Sequence, residues 1–192
     1  MKTKKLVLTA FTMVVTALCL IWLVGIEIAN ASDKDAFEIS VTPLVTYAVQ
    51  ISTPANGLSF SNVDLNTAYV NASSATVTNA GNSSADWTVK ITALNNWTLG
   101  TALTDNGSDK AVLAARFNTT ATITGSYTDN DVLLVTEKNA DVTNFAGDQN
   151  GNNVVKNAEK LLWIYVKTPT DTTYDTAQKF RVEVKAYTAS KF

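Results

Sequence analysis

The chain has 192 residues, 15 basic and 17 acidic side chains, no histidine and a net charge of −2. Its one cysteine, Cys19, lies inside an apolar run. This composition excludes a Ser–His–Asp triad and a Cys/His zinc centre, and it offers no basic footprint for nucleic acid.

Lys2, Lys4 and Lys5 precede an uncharged stretch from Leu6 to Ile26, and Ala29-Asn30-Ala31 follows as a small-x-small cleavage site. That order predicts a secretory signal peptide over residues 1–31 and an exported domain over residues 32–192. At about 1.5 Å per residue the stretch also reaches across a bilayer as a helix, so an uncleaved anchor is the alternative, and only then does the chain meet a membrane. Leu18 before Cys19 does not suit lipoprotein processing. The exported part therefore has no disulfide, and its fold rests on its core. The expected location is extracellular or at the cell surface.

Past a polar lead-in, a long alternation begins. Phe37, Ile39, Val41, Val45, Tyr47, Val49 and Ile51 share one parity, and Glu38, Ser40, Thr42, Thr46, Gln50 and Ser52 share the other. Period two predicts a strand, interrupted only by Pro43. Residues 58–65 read as two short strands. Residues 75–79 form another, followed by the turn Asn79-Ala-Gly-Asn82. Trp87, Val89 and Ile91 alternate with polar neighbours. Residues 111–117 read as a strand or a short helix, and 132–136 as a short strand. Residues 161–166 are apolar on both faces, which suits a central strand. Phe180, Val182 and Val184 alternate with Arg181, Glu183 and Lys185, one face buried and one wet. Residues 138–157 form the longest stretch without a clear element. About nine short strands separated by polar turns predict an all-β, antiparallel sandwich behind the hydrophobic N-terminal signal or anchor helix.

The chemistry left to such a chain is narrow. A glycosidase-type carboxylate pair could draw on Glu38 and Glu183, but both fall on polar strand faces, where a carboxylate is solvated. No enzyme is expected. Calcium is the one cofactor the pattern suggests. Asp148, Asn150 and Asn152 occupy alternating positions of a loop with Glu159 at its twelfth position, where an EF-type loop places its bidentate acid. Asn153 stands at the turn glycine, and a strand rather than a helix follows. Asp129-Asn130-Asp131 is a weaker cluster of the same kind. Trp87, Trp97, Trp163 and Tyr165 are the rings that would stack on a sugar, though their alternation favours the core. Sequons at Asn71, Asn82, Asn96, Asn106 and Asn118 permit glycosylation and do not demand it.

Gly57-Leu-Ser-Phe-Ser-Asn-Val-Asp-Leu65, then Ala75-Thr-Val-Thr-Asn-Ala-Gly-Asn82 and Trp87, resemble the Ig-like sandwich domains of bacterial surface proteins. Trp97-Thr-Leu99, with Leu113-Ala-Ala115 downstream, is similar to WxL cell-wall-binding domains, whereas Leu162-Trp-Ile-Tyr165 does not fit their second motif. The resemblance implies a fold and a location, with cell-wall polysaccharide as one partner, and it carries over no catalytic residue.

The N-terminal alternation bears on assembly. Fifteen residues at about 3.3 Å each extend about 50 Å, whereas sandwich strands usually run five or six residues. Either the chain bends at Pro43 and switches sheets, or Phe37, Ile39 and Val41 form a donor strand that fills a neighbour's sheet edge. The second reading makes the protein a homo-oligomer, an extracellular filament subunit. The alternative is a monomeric wall- or carbohydrate-binding module.

Overall fold

The computed structural model describes residues 38–54 and 57–190. The expected signal peptide and cleavage site, the expected N-terminal helix and Phe37 lie outside the described residues. No helix among the described residues is long and apolar enough to cross a membrane. The chain divides into two units, Met1–Thr42 and Pro43–Phe192. Of the first, residues 38–42 are described, and they are exposed and form neither strand nor helix.

The second unit is all-β. Its strands are β1 Val49–Ser52, β2 Ala68–Val70, β3 Ala75–Asn79, β4 Ala85–Ala93, β5 Thr98–Leu99, β6 Lys110–Phe117, β7 Lys138–Asn139, β8 Glu159–Lys167 and β9 Phe180–Thr188. Two single 3-10 turns, Thr124–Ser126 and Asp129–Asp131, are the helical content among the described residues. One sheet has the order β1-β3-β8-β6-β5, with β2 also on β8, and the other has the order β7-β4-β9.

β8 organises the larger sheet. Its Leu162–Lys167 stretch pairs with β6 on one edge, while β3 pairs with Glu159–Leu162 and β2 with Tyr165–Lys167 on the other. Asn71 spans the gap between β2 and β3: its N–H donates to Ile164 O at 3.0 Å and its Oδ1 accepts the Ser73 N–H at 3.0 Å. Both faces of β8 are buried, as its unbroken apolar run requires. Leu162, Ile164 and Val166 join a core shared with Trp87, Val89, Ile91 and Val184 of the smaller sheet. Trp87 meets Phe117 of β6 with ring centroids 5.7 Å apart. On the opposite face Tyr165 packs with Ala114 and Tyr127. The segment after β6 supplies that cover, held by Arg116, whose Nε donates to Ala146 O at 2.8 Å and whose Nη1 donates to Ser126 O.

Several sequence expectations change. Among the described residues, the N-terminal alternation yields a ladder only at β1, which pairs with β3 through Val49↔Asn79 to Ser52↔Thr76. Period two sets which face a residue prefers, but a strand exists only where a neighbour supplies hydrogen bonds. Ahead of β1, the turn after β3 supplies scattered bonds in place of a ladder: Ala80 N–H donates to Ala48 O at 3.0 Å, Asn82 N–H donates to Thr46 O at 3.1 Å, and the side chain of Asn82 adds two more. Its Oδ1 accepts the Thr46 N–H at 2.8 Å and its Nδ2 donates to Leu44 O at 2.7 Å. The chain does not switch sheets at Pro43 within the described residues, since β1 joins the larger sheet only. Residues 58–65 form no strand, because side chains satisfy their backbone: Thr168 Oγ1 donates to Asp64 O, Asn71 Nδ2 donates to Ser59 O, and Tyr69 OH accepts the Asp64 N–H. Residues 111–117 are strand, not helix. Residues 132–136 contribute one bridge, Val132 to Ala114. Residues 138–157 are part of the body, with Ala140, Phe145 and Val154 buried.

Trp87 is fully buried, and its Nε1 has no hydrogen-bond partner among the described residues. Truncating Trp87→Ala should lower unfolding free energy by about 3–5 kcal/mol in urea titration. Trp87→Phe should cost clearly less, because the unpaired N–H, itself a penalty of about 1–3 kcal/mol, leaves with the indole.

Candidate functional site

The loop read as a calcium turn flanks β4. Trp87 N–H donates to Gly151 O at 2.8 Å, Ala85 N–H to Val154 O at 3.0 Å, and Asn153 N–H to the buried Asp86 Oδ1 at 2.7 Å. A side chain at Gly151 would place its Cβ 2.8 Å from that of Ala140 and 3.0 Å from that of Trp87, so only glycine fits. Asn153 adopts φ 47°, the left-handed conformation asparagine tolerates. Asp148 accepts the Thr119 N–H at 2.7 Å and the Thr119 hydroxyl. Asn150 Oδ1 accepts the Asn152 N–H at 3.0 Å. Glu159 is the exposed first residue of β8 and lies opposite Thr78. Oxygens of Asp148 and Asn150 are thus used within the chain. No three His, Cys, Asp or Glu side chains gather among the described residues.

The other singled-out acids are similarly engaged or solvated. Asp129 Oδ1 accepts the Leu103 N–H at 2.7 Å, and Asp131 Oδ2 accepts the Thr128 N–H at 2.8 Å. Glu38 is exposed. Glu183 is exposed on β9 and pairs with Lys90 at 3.0 Å. Among the rings, Trp87, Trp163 and Tyr165 are buried, and Trp163 Nε1 donates to Asn118 O at 2.9 Å. Trp97 is half-buried and donates to Thr172 Oγ1 at 2.9 Å. Trp87, Trp163 and Tyr165 therefore offer no open face for a pyranose to stack on. Four of the sequon amides, those of Asn71, Asn82, Asn106 and Asn118, already donate to backbone oxygens.

What stands open is backbone. Odd-numbered residues of β4 direct their N–H groups away from β9, as the bonds of Ala85, Trp87 and Ile91 to Val154, Gly151 and Leu134 show. Even-numbered residues therefore pair with Arg181, Glu183, Lys185 and Tyr187. Phe180, Val182, Val184, Ala186 and Thr188 are left with N–H and C=O groups pointing outward, without a backbone partner among the described residues. The nine pairs from Ala85↔Thr188 to Ala93↔Phe180 run without a bulge. β9 has no proline and no inward charge, two of the guards of an edge, while its wet face carries Arg181, Glu183 and Lys185. The other outer strands, β1, β2, β5 and β7, have four, three, two and two residues. Sequence reasoning identified the two faces of β9 but missed its free edge, for which a sequence carries no signal until neighbours are known.

The second open feature is the N-terminal apolar series. Ile39, Val41 and Leu44 are 74%, 79% and 82% exposed. No protein family, curated protein or solved structure matches the chain.

Carboxylates tie the loops. Asp109 accepts the Thr172 hydroxyl at 2.7 Å and the Thr173 N–H at 2.8 Å, and these two bonds hold its pKa below the ordinary 3.8. The Thr119 hydroxyl and N–H do the same for Asp148. Burial pushes Asp131 the other way. A depressed carboxylate supports folding above its unfolded pKa and loses that support as pH falls through its folded value. Stability should therefore drop below about pH 4. Asp109→Asn should lower the melting temperature at pH 7 and flatten the acid limb; an unchanged pH profile would contradict this assignment.

Proposed function

We propose that this is a non-enzymatic, exported structural protein whose two sheets form an Ig-like sandwich, and that copies assemble into an extracellular filament by N-terminal strand donation. One observation carries the reading. A segment patterned for a half-buried strand, containing Ile39 and Val41, stands exposed and outside any ladder. Burying an Ile or Val side chain is worth about 1.5–3 kcal/mol, so such a segment gains by docking on a sheet. Donation from copy to copy is head-to-tail, and that symmetry gives an open polymer. The leader supports the reading, since signal cleavage after Ala31 would release a short polar arm ahead of the donor. A wall- or glycan-binding role draws less support, because the rings suited to it are buried or half-buried.

Deleting residues 36–42 should abolish fibres in negative-stain images and leave a monomer in analytical ultracentrifugation, with the melting temperature nearly unchanged. Fibres formed as before would reject donation.

A further inference from the structure

We infer that the acceptor is the outer edge of β9, and that the strand seated there is residues 37–42 of a second copy. The inference rests on the strand-donation reading and adds where the donor binds. Four observations lead to it. First, β9 presents outward backbone groups at five alternate residues, Phe180 to Thr188, whereas the other outer strands are far shorter. Second, the smaller sheet has three strands against a five-strand path in the larger one, so a strand added to β9 extends the shorter sheet.

Third, parity fits. In β9 the residues with outward backbone, Phe180, Val182, Val184 and Ala186, turn their side chains to the core. A donor opposing them with Phe37, Ile39 and Val41 would carry its own apolar side chains to that same face, and a one-residue slip would bury Glu38 instead. Fourth, charge fits. Arg181 and Lys185 are exposed on the wet face of β9, and Arg181 has no salt bridge among the described residues. With Ser40 opposite Glu183, Glu38 lies opposite Arg181 if the donor runs parallel to β9 and opposite Lys185 if it runs antiparallel. Both directions place opposite charges side by side, and both keep the Ser40–Glu183 pairing.

That shared pairing supplies the test. Chains exported with their own leader in a Cys19→Ser background carry either Ser40→Cys or Glu183→Cys, and the two are mixed under mild oxidation. A disulfide-linked dimer should form at least tenfold more than with Val155→Cys, an exposed position elsewhere. Equal or absent linkage would overturn the inference. A chain carrying both Ser40→Cys and Glu183→Cys should give a ladder of linked multimers, whereas an internally closed monomer would place the segment on its own β9 and overturn it. Val182→Pro removes one outward N–H and no bond to β4, so it should abolish assembly while the melting transition persists. Assembly unaffected by it would contradict the proposal, and should the variant fail to fold, the cross-link decides. Fibres that need residues 36–42 but show no Ser40–Glu183 link would refute β9 as acceptor and leave donation standing. Fibres indifferent to residues 36–42 would refute donation itself.

Discussion

Every backbone amide taken from water must find an acceptor, and that constraint organises this protein from β8 outward. β8 meets it in full, with β6 on one edge and β2 and β3 sharing the other. Because both edges are paired, both faces can be covered, and the run Leu162 to Val166 is buried throughout. The smaller sheet meets the constraint on one side only. β4 is served by β7 and by Gly151 and Val154, but among the described residues β9 ends the sheet with its outward groups open.

Where ladders stop, side chains take over the pairing. The Asn82 side chain ties Thr46 and Leu44, Asp109 ties Thr172 and Thr173, and Asp86 accepts the N–H groups of Asn153 and Ser190. Asn79 is fully buried, accepts the Gly81 N–H and donates to Ser83 O and Val154 O. The abundance of Asn, Asp and Thr thus reflects a chain with much irregular backbone to satisfy and no disulfide to hold it. Gly81 belongs to the same scheme: a Cβ there would lie 2.5 Å from Thr46 O, so the glycine lets residues 44–48 approach the turn.

The sequence made the strands with a contiguous apolar face legible. β3, β4, β8 and β9 follow from alternation or from an unbroken apolar run, and the core position of Trp87 follows from its parity with Val89 and Ile91. It misled where polarity and pairing separate. Residues 38–48 alternate as a strand does yet form no ladder, because alternation describes side chains while a ladder requires a second strand in register, and the turn after β3 gives only separate bonds to Thr46 O and Ala48 O. The oxygen-rich stretch around Asp148 and Asn150, expected as a calcium loop, carries side chains that Asx turns and calcium loops both use. Here several of those oxygens accept from Thr119 and Asn152. The donor half of the candidate site was readable as pattern; the acceptor half depends on which strand ends a sheet, a property of topology.

An edge this long that lacks proline, bulge and inward charge invites a partner, and the exposed series at Ile39 and Val41 has the parity to be one. Residue-resolved hydrogen exchange, comparing assembled protein with the chain lacking residues 36–42, measures this most directly. The account predicts that the amides of Val182, Val184 and Ala186 exchange rapidly in the truncated chain and become protected at least a hundredfold on assembly, while those of Glu183 and Lys185 are slow in both. Equal exchange at Val182 and Val184 in the two states would contradict it.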